Sequence, residues 1–327
     1  MNLTLEQIKS IAHGVAQVIE EDGKICLYRF TEEQRELYRG YSADFFAKSF
    51  ASAGITLEFT TNSRRLAMKT QVSSGSSRTF FFHSIFVNGS RYASLGCEKS
   101  NNGIFGGEWA LPEGENTVKI YFPFSTSSRL ISFELDDGAS LTPVKKSKKM
   151  LMFGDSITHG YDSWSPENSY AFRVSDALDA EAINKGIGGE IFFPDLALTH
   201  DDIEPDYITV AYGTNDWSRN NKERFEKNSK AFYENLAKNY PSAKIFAITP
   251  IWRNRPTDPV SNTIGTLGVI GKHIEKVTAD IPNVTVIDGT FLVPHDEKYF
   301  APDVLHPNDE GFEHYAKNLL IELKKYI

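Results

Sequence analysis

With 327 residues, 40% of them hydrophobic, the chain is long enough for about two domains with real cores. It carries 35 Lys and Arg against 43 Asp and Glu, a net charge of -8, which argues against a nucleic-acid-binding face because phosphate neutralisation needs a basic patch. Cys26 and Cys97 make neither a disulfide framework nor a metal signature, and no apolar run approaches the ~18 residues of a membrane helix, so the expected setting is a reducing, cytoplasmic one.

The N-terminal stretch "MNLTLEQIKSIAHGVAQVIEEDG" lacks the basic-then-apolar order of a secretory signal. Its Ile8, Ile11, Ala12, Val15, Val18 and Ile19 recur at helical spacing behind a Thr4–Gln7 capping box, which predicts one helix. From about 24 to 136 the pattern alternates instead, in sets such as Ile55, Leu57 and Phe59, or Val118, Ile120 and Phe122. Asn88-Gly89 between β-like flanks signals a hairpin. Many short strands with turn residues between them predict a β-sandwich of the jelly-roll kind. "KKSKK" at 145–149 has the look of a solvated linker, dividing an N-terminal helix plus sandwich (1–145) from a second domain (146–327).

Beyond the linker, short apolar runs at 150–153, 207–213, 243–252 and 284–289 alternate with helical patterns near 167–179, 223–239, 262–280 and 309–326. That alternation predicts a three-layer α/β/α domain with a parallel sheet, in which ligands bind beyond the carboxyl ends of the strands. Gly154-Asp155-Ser156 follows the first of these strands, and "GTND" (213–216) follows the run at 207–213. Ser156 would stand at a helix start, where unpaired N–H groups favour negative charge. A base is offered by His306 in "APDVLHPNDEGFEHYA", with Asp303 three residues earlier to orient and stabilise the imidazole. Gly189 in "NKGIGGE" can bring a backbone N–H close to a ligand, and Asn215 can donate from its amide, completing an oxyanion hole. Asp155 is expected to brace the loop, and His159 to lie on a helix face or cleft wall.

Four ordered blocks, GDSITHG (154–160), NKGIGG (184–189), GTND (213–216) and DVLHP (303–307), resemble those that define the SGNH, or GDSL-type, hydrolases. The resemblance implies a flavodoxin-like SGNH-hydrolase domain. It makes Ser156 the nucleophile, His306 and Asp303 its triad partners, and Ser156, Gly189 and Asn215 the oxyanion donors. Gly186 and Gly188 share the second block; Gly189, its last glycine, is the one aligned. Such chemistry requires no cofactor and no metal. A sandwich ahead of this domain is similar to two-domain carbohydrate O-acetylesterases, which implies a small-acyl, O-acetyl esterase acting on a small-molecule or oligosaccharide ester. Nucleic acid and membrane are not expected as partners, and a homo-oligomer stays open. The alternatives are a lysophospholipase or thioesterase of broader acyl range and a sugar-binding protein without activity. Trp217, Trp164 and Trp252 are the candidate sugar platforms, with Arg253 and Arg255 on the same rim.

Overall fold

In the computed structural model, which describes residues 1–219, 221–254 and 264–327, the alternating segments of the first half form two antiparallel sheets. One runs in the order Ala12–His13, Thr56–Thr61, Asn116–Tyr121, Phe81–Val87 and Ser90–Cys97, with Thr142–Pro143 added beside Thr56–Thr61. The other runs Gln17–Glu21, Lys24–Tyr28, Thr126–Leu135, Arg65–Ser74 and Gly103–Ala110. Alternate side chains of the two sheets turn inward and share one core: Leu57, Phe59, Ile85, Val118 and Ile120 from the first, Leu66, Met68, Leu130 and Phe133 from the second. Asn88 and Gly89 make the expected two-residue turn, with φ of 51° and 77°.

The sequence pattern overruns in two places. The first helix covers only Leu5–Ile11, although its Thr4–Gln7 capping box is formed. Gly14 turns left-handed at φ 72°, and β-branched Val18 and Ile19 continue as a strand of the second sheet. Two further helices, Glu32–Tyr41 and Ala43–Ser49, interrupt the strands of the first half. They leave the sandwich: Phe30, Tyr38 and Phe45 are buried in the core of the second half, beside Phe193, Leu196 and Tyr212.

That second half is built on a five-stranded parallel sheet in the order Ala180–Asn184, Lys148–Gly154, Tyr207–Ala211, Lys244–Ile248 and Val284–Ile287. The edge strand Ala180–Asn184 was not among the expected runs, since its AEAIN is too short and polar to stand out. Helices Lys222–Asn239 and Gly268–Thr278 cover one face of the sheet. Tyr170–Ala177 and Asp309–Leu323 cover the other, where Tyr170 and Tyr315 stack at 4.1 Å. Chain order reverses between Ala180–Asn184 and Tyr207–Ala211, on either side of Lys148–Gly154. The carboxyl ends there form the crevice of a doubly wound sheet. Among the described residues, no helix is long and apolar enough to cross a membrane.

Candidate active site

Four loops supply the site: those after Lys148–Gly154, Ala180–Asn184 and Tyr207–Ala211, and the one before Asp309–Leu323. Lys148–Gly154 delivers the chain into a one-turn helix, Ser156–His159, capped by Asp155, whose Oδ1 accepts the Ile157 N–H at 3.0 Å. A Cβ on Gly154 would lie 2.0 Å from Thr158 Oγ1, so only glycine lets the strand turn this tightly. Burial pushes the Asp155 carboxyl up to about 6, against the Ile157 N–H and the positive field of His306. Asp155 is thus a brace. Ser156, the first residue of the helix, is only 8% exposed.

His306 reaches Ser156 from the loop before the last helix. Its Nε2 lies 2.7 Å from Ser156 Oγ, and its Nδ1 lies 2.6 Å from Asp303 Oδ2. The other oxygen of Asp303 accepts the backbone N–H groups of Leu305 and His306, at 3.0 and 3.1 Å, so a local turn fixes this carboxylate before it meets the ring. With Nδ1 facing carboxylate, the neutral ring keeps its proton there, and in that form Nε2 is left to accept from the serine hydroxyl. Burial draws the imidazole pKa down, but hydrogen bonds to Asp162 and Asp303 outweigh it and lift His306 to about 9. Partial burial pushes Asp303 up, but the His306 ring and the His306 and Leu305 N–H groups hold it well below the usual carboxylate range.

Across the crevice, Asn215 sits in the first turn of Thr214–Arg219 and donates from Nδ2 to the Glu190 carbonyl at 3.1 Å. One amide N–H therefore ties it to the loop carrying Gly189. Gly189 has φ 88°, and its carbonyl accepts Arg219 Nη1 at 2.9 Å, while its own N–H has no acceptor among the described residues. Its N–H is thereby available to an incoming oxygen.

The other expected residues divide. His159 is buried, with Nε2 3.0 Å from the Phe124 carbonyl and Nδ1 accepting the Gly188 N–H at 3.1 Å; burial drives its pKa well down. It is a wall residue. Trp217 is no platform: it is 1% exposed, and its Nε1 donates to the Gly265 carbonyl at 2.7 Å. Its position in a helix put the indole on the core side. Trp164, 51% exposed, stacks on Phe80 at 5.3 Å and 27° and also lies against Phe82. Trp252 stacks on His295 at 5.2 Å, and Arg253 lies over the Trp217 ring at 5.3 Å. Arg255 lies outside the described residues.

Two neighbours of His306, and an arginine that holds one of them, had no signal in the sequence. Asp162 Oδ2 is 3.2 Å from His306 Nδ1, and the Tyr161 ring lies 5.5 Å from the imidazole. Arg78, from the sandwich, donates Nε to Asp162 Oδ1 at 2.7 Å and Nη2 to its other oxygen. Asp162, Asp303 and His306 offer three atoms that could hold a metal ion. The Arg78 guanidinium already supplies a cation to both carboxylates, with Nη2 3.6 Å from Asp303 Oδ2.

Residues 152–314 match the model of the GDSL-like lipase/acylhydrolase family. Among solved structures, the salicylyl-acyltransferase SsfX3 from a tetracycline biosynthetic pathway is similar at TM-score 0.81 and 20% identity, over 96% of this chain and 94% of that one. A family two carbohydrate esterase from Cellvibrio japonicus gives 0.69 and 17%, over 99% and 97%. One from Clostridium thermocellum, in complex with cellohexaose, gives 0.67 and 17%, over 84% and 93%. No curated protein sequence matches the chain.

Proposed function

With residues 152–314 belonging to the GDSL-like lipase/acylhydrolase family and the chain therefore a carboxylic ester hydrolase, we propose that it removes small O-acyl groups, O-acetyl above all, from carbohydrate hydroxyls through Ser156, His306 and Asp303. The observation carrying this reading is the unbroken relay from Ser156 Oγ through the imidazole to Asp303, with links of 2.7 and 2.6 Å. In it, His306 Nε2 takes the hydroxyl proton as Oγ attacks the ester carbonyl, and Asp303 stabilises the imidazolium. The oxyanion is met by the N–H groups of Ser156 and Gly189 and by the second amide proton of Asn215. Collapse expels the sugar hydroxyl, protonated by His306, and water repeats the sequence on the acyl-enzyme.

The carbohydrate half of the reading rests on two supports. The sandwich-plus-hydrolase architecture is shared with family two carbohydrate esterases, one of them solved with cellohexaose. The exposed Trp164 face, backed by Phe80 and Phe82, offers the flat apolar surface on which a sugar ring stacks. A second reading, transfer of the acyl group to another alcohol, draws on the likeness to a salicylyl-acyltransferase and uses the same acyl-enzyme.

The test is acetate release from acetylated xylo-, manno- and cello-oligosaccharides beside a p-nitrophenyl acyl-chain series, with Ser156→Ala as control. We expect activity on acetylated sugars, a steep fall beyond short acyl chains, and none in the control. Strong long-chain activity with a flat response to sugars overturns the substrate, and full activity of the control overturns the mechanism. Adding a second alcohol decides between water and transfer by the product formed.

A further inference from the structure

We propose that Asp162, clamped by Arg78 from the β-sandwich, is a second positioning carboxylate for His306 that shares the Nδ1 proton with Asp303. The inference rests on the reading of Ser156 and His306 as the reacting pair. A triad needs one acid at Nδ1; this site has two, at 2.6 Å (Asp303) and 3.2 Å (Asp162). Of the pair, Asp162 is the better shielded, its side chain 17% exposed against 39% for Asp303. A shielded carboxylate interacts more strongly with the ring, because solvent screens it less.

The chain goes out of its way to put Asp162 there. Gly160 ends the one-turn helix at φ 102°, and Asp162 itself stands at φ 68°, a conformation that L-residues seldom adopt. Arg78 then holds it with two donors and lies over the Tyr161 ring at 5.0 Å. Two carboxylates at one nitrogen repel each other. The guanidinium, within 3.6 Å of Asp303 as well, offsets that repulsion.

The groups facing the imidazole are therefore Asp303 on its own loop and Asp162 and Tyr161 on the loop after the one-turn helix. Ser156 and Asp155 face it from that helix's start, and Arg78 acts on both acids from the sandwich. Arg78 is a positioning residue, acting on the base through the two acids. This makes the sandwich part of the base's environment.

The test uses the full chain and p-nitrophenyl acetate, with pH profiles of kcat/KM from 5 to 10. Loss of the sole acid of a triad lowers kcat about 10⁴-fold. Here Asp303→Asn should lose no more than about 100-fold and Asp162→Asn about 10-fold, while the double variant falls by about 10⁴, as a shared role requires. Each single variant removes a carboxylate that holds the ring proton, so its acid limb moves to lower pH. Arg78→Met leaves the two carboxylates without their cation and moves the limb to higher pH, with Arg78→Lys restoring it in part. A residue that only supports the loop would reduce the amount of active enzyme and leave the limb in place. Asp303→Asn as dead as the double variant, or an unmoved limb in Asp162→Asn, overturns the inference. Should Asp162→Asn not fold, Arg78→Met decides alone: an upward shift supports the pair and an unmoved limb overturns it. A Ser156→Ala enzyme of full activity would sink the underlying function instead.

Discussion

Replacing Glu190 by Gln should make the protein more stable at pH 8 and leave it nearly unchanged at pH 5. Glu190 is fully buried beside the oxyanion loop, with Tyr38 donating to Oε1 at 2.5 Å and Tyr212 to Oε2 at 2.9 Å. Burial pushes its carboxyl up to about 8, against the tyrosine hydrogen bonds and the nearby charge of Arg29. A carboxyl raised in the folded state keeps its proton there, while the unfolded chain gives its proton up near the ordinary value of 4.5. Its contribution is therefore fully present below that value, is lost as pH rises, and levels off above about 8. At about 1.4 kcal/mol per pKa unit, the loss across this window approaches 5 kcal/mol. Glutamine keeps the shape, can accept from one tyrosine and donate to the other, and does not titrate. Urea unfolding of both proteins at each unit from pH 5 to 9 measures the difference. His306 and Asp155, raised as well, titrate in both proteins and cancel in that difference. A difference independent of pH would refute the assignment of a protonated Glu190.

Asn215→Ala removes one oxyanion donor and should lower kcat by about 10² to 10³ with little change in KM, read by steady-state kinetics on an acetyl ester. The two tryptophans should separate cleanly: Trp217→Ala loses about 3 to 5 kcal/mol of stability in chemical unfolding, whereas Trp164→Ala leaves stability within about 1 kcal/mol. Trp164→Ala should instead raise KM for acetylated oligosaccharides more than for p-nitrophenyl acetate. Arg29→Met should cost at least about 3 kcal/mol by the same unfolding measurement, because buried carbonyls lose their donor. Those carbonyls are Ala51 and Lys48 in the first half and Asn184 and Gly186 in the second.

What the sequence made legible is local. Ser156 and Asn215 each follow an apolar strand of the parallel sheet, Gly189 closes the NKGIGG block, and Asp303 and His306 lie three apart in one turn, so their neighbours in the chain carry the pattern. The helix Glu32–Tyr41 was not read, although Thr31 and Gln34 form the same capping box as Thr4 and Gln7. Its inward residues are sparse and polar, Gln34 and Arg35 among them, so no apolar stripe marks it. Trp217 was misplaced for a different reason: position in the chain gives distance from Asn215 but not which side of a one-and-a-half-turn helix faces the crevice. Arg78 and Asp162 are 84 positions apart, and no pattern in either neighbourhood announces a partner that far away.

The contacts that were hardest to read share a direction, from the first half of the chain into the site. Arg29 spans to the carbonyls of Asn184 and Gly186, on the strand and loop that lead to Gly189. Gln34 joins the buried Lys185–Asp201 pair, donating to Asp201 and accepting from Lys185. Tyr38 holds Glu190, whose carbonyl holds Asn215. Arg78 holds Asp162 against His306. Each is charged or hydrogen-bonded and largely buried, the kind of interaction whose loss leaves a desolvated group unpaired. A fragment beginning at residue 146 would leave Lys185, Glu190 and the Gly186 carbonyl without those partners and would strip Phe30, Tyr38 and Phe45 from the hydrophobic core. Water entering there would loosen the Gly189 loop, which must present its N–H at a fixed place to hold an oxyanion. The geometry at Ser156 is thus a property of the whole chain: the parallel sheet places the reacting groups, and the first half holds them still.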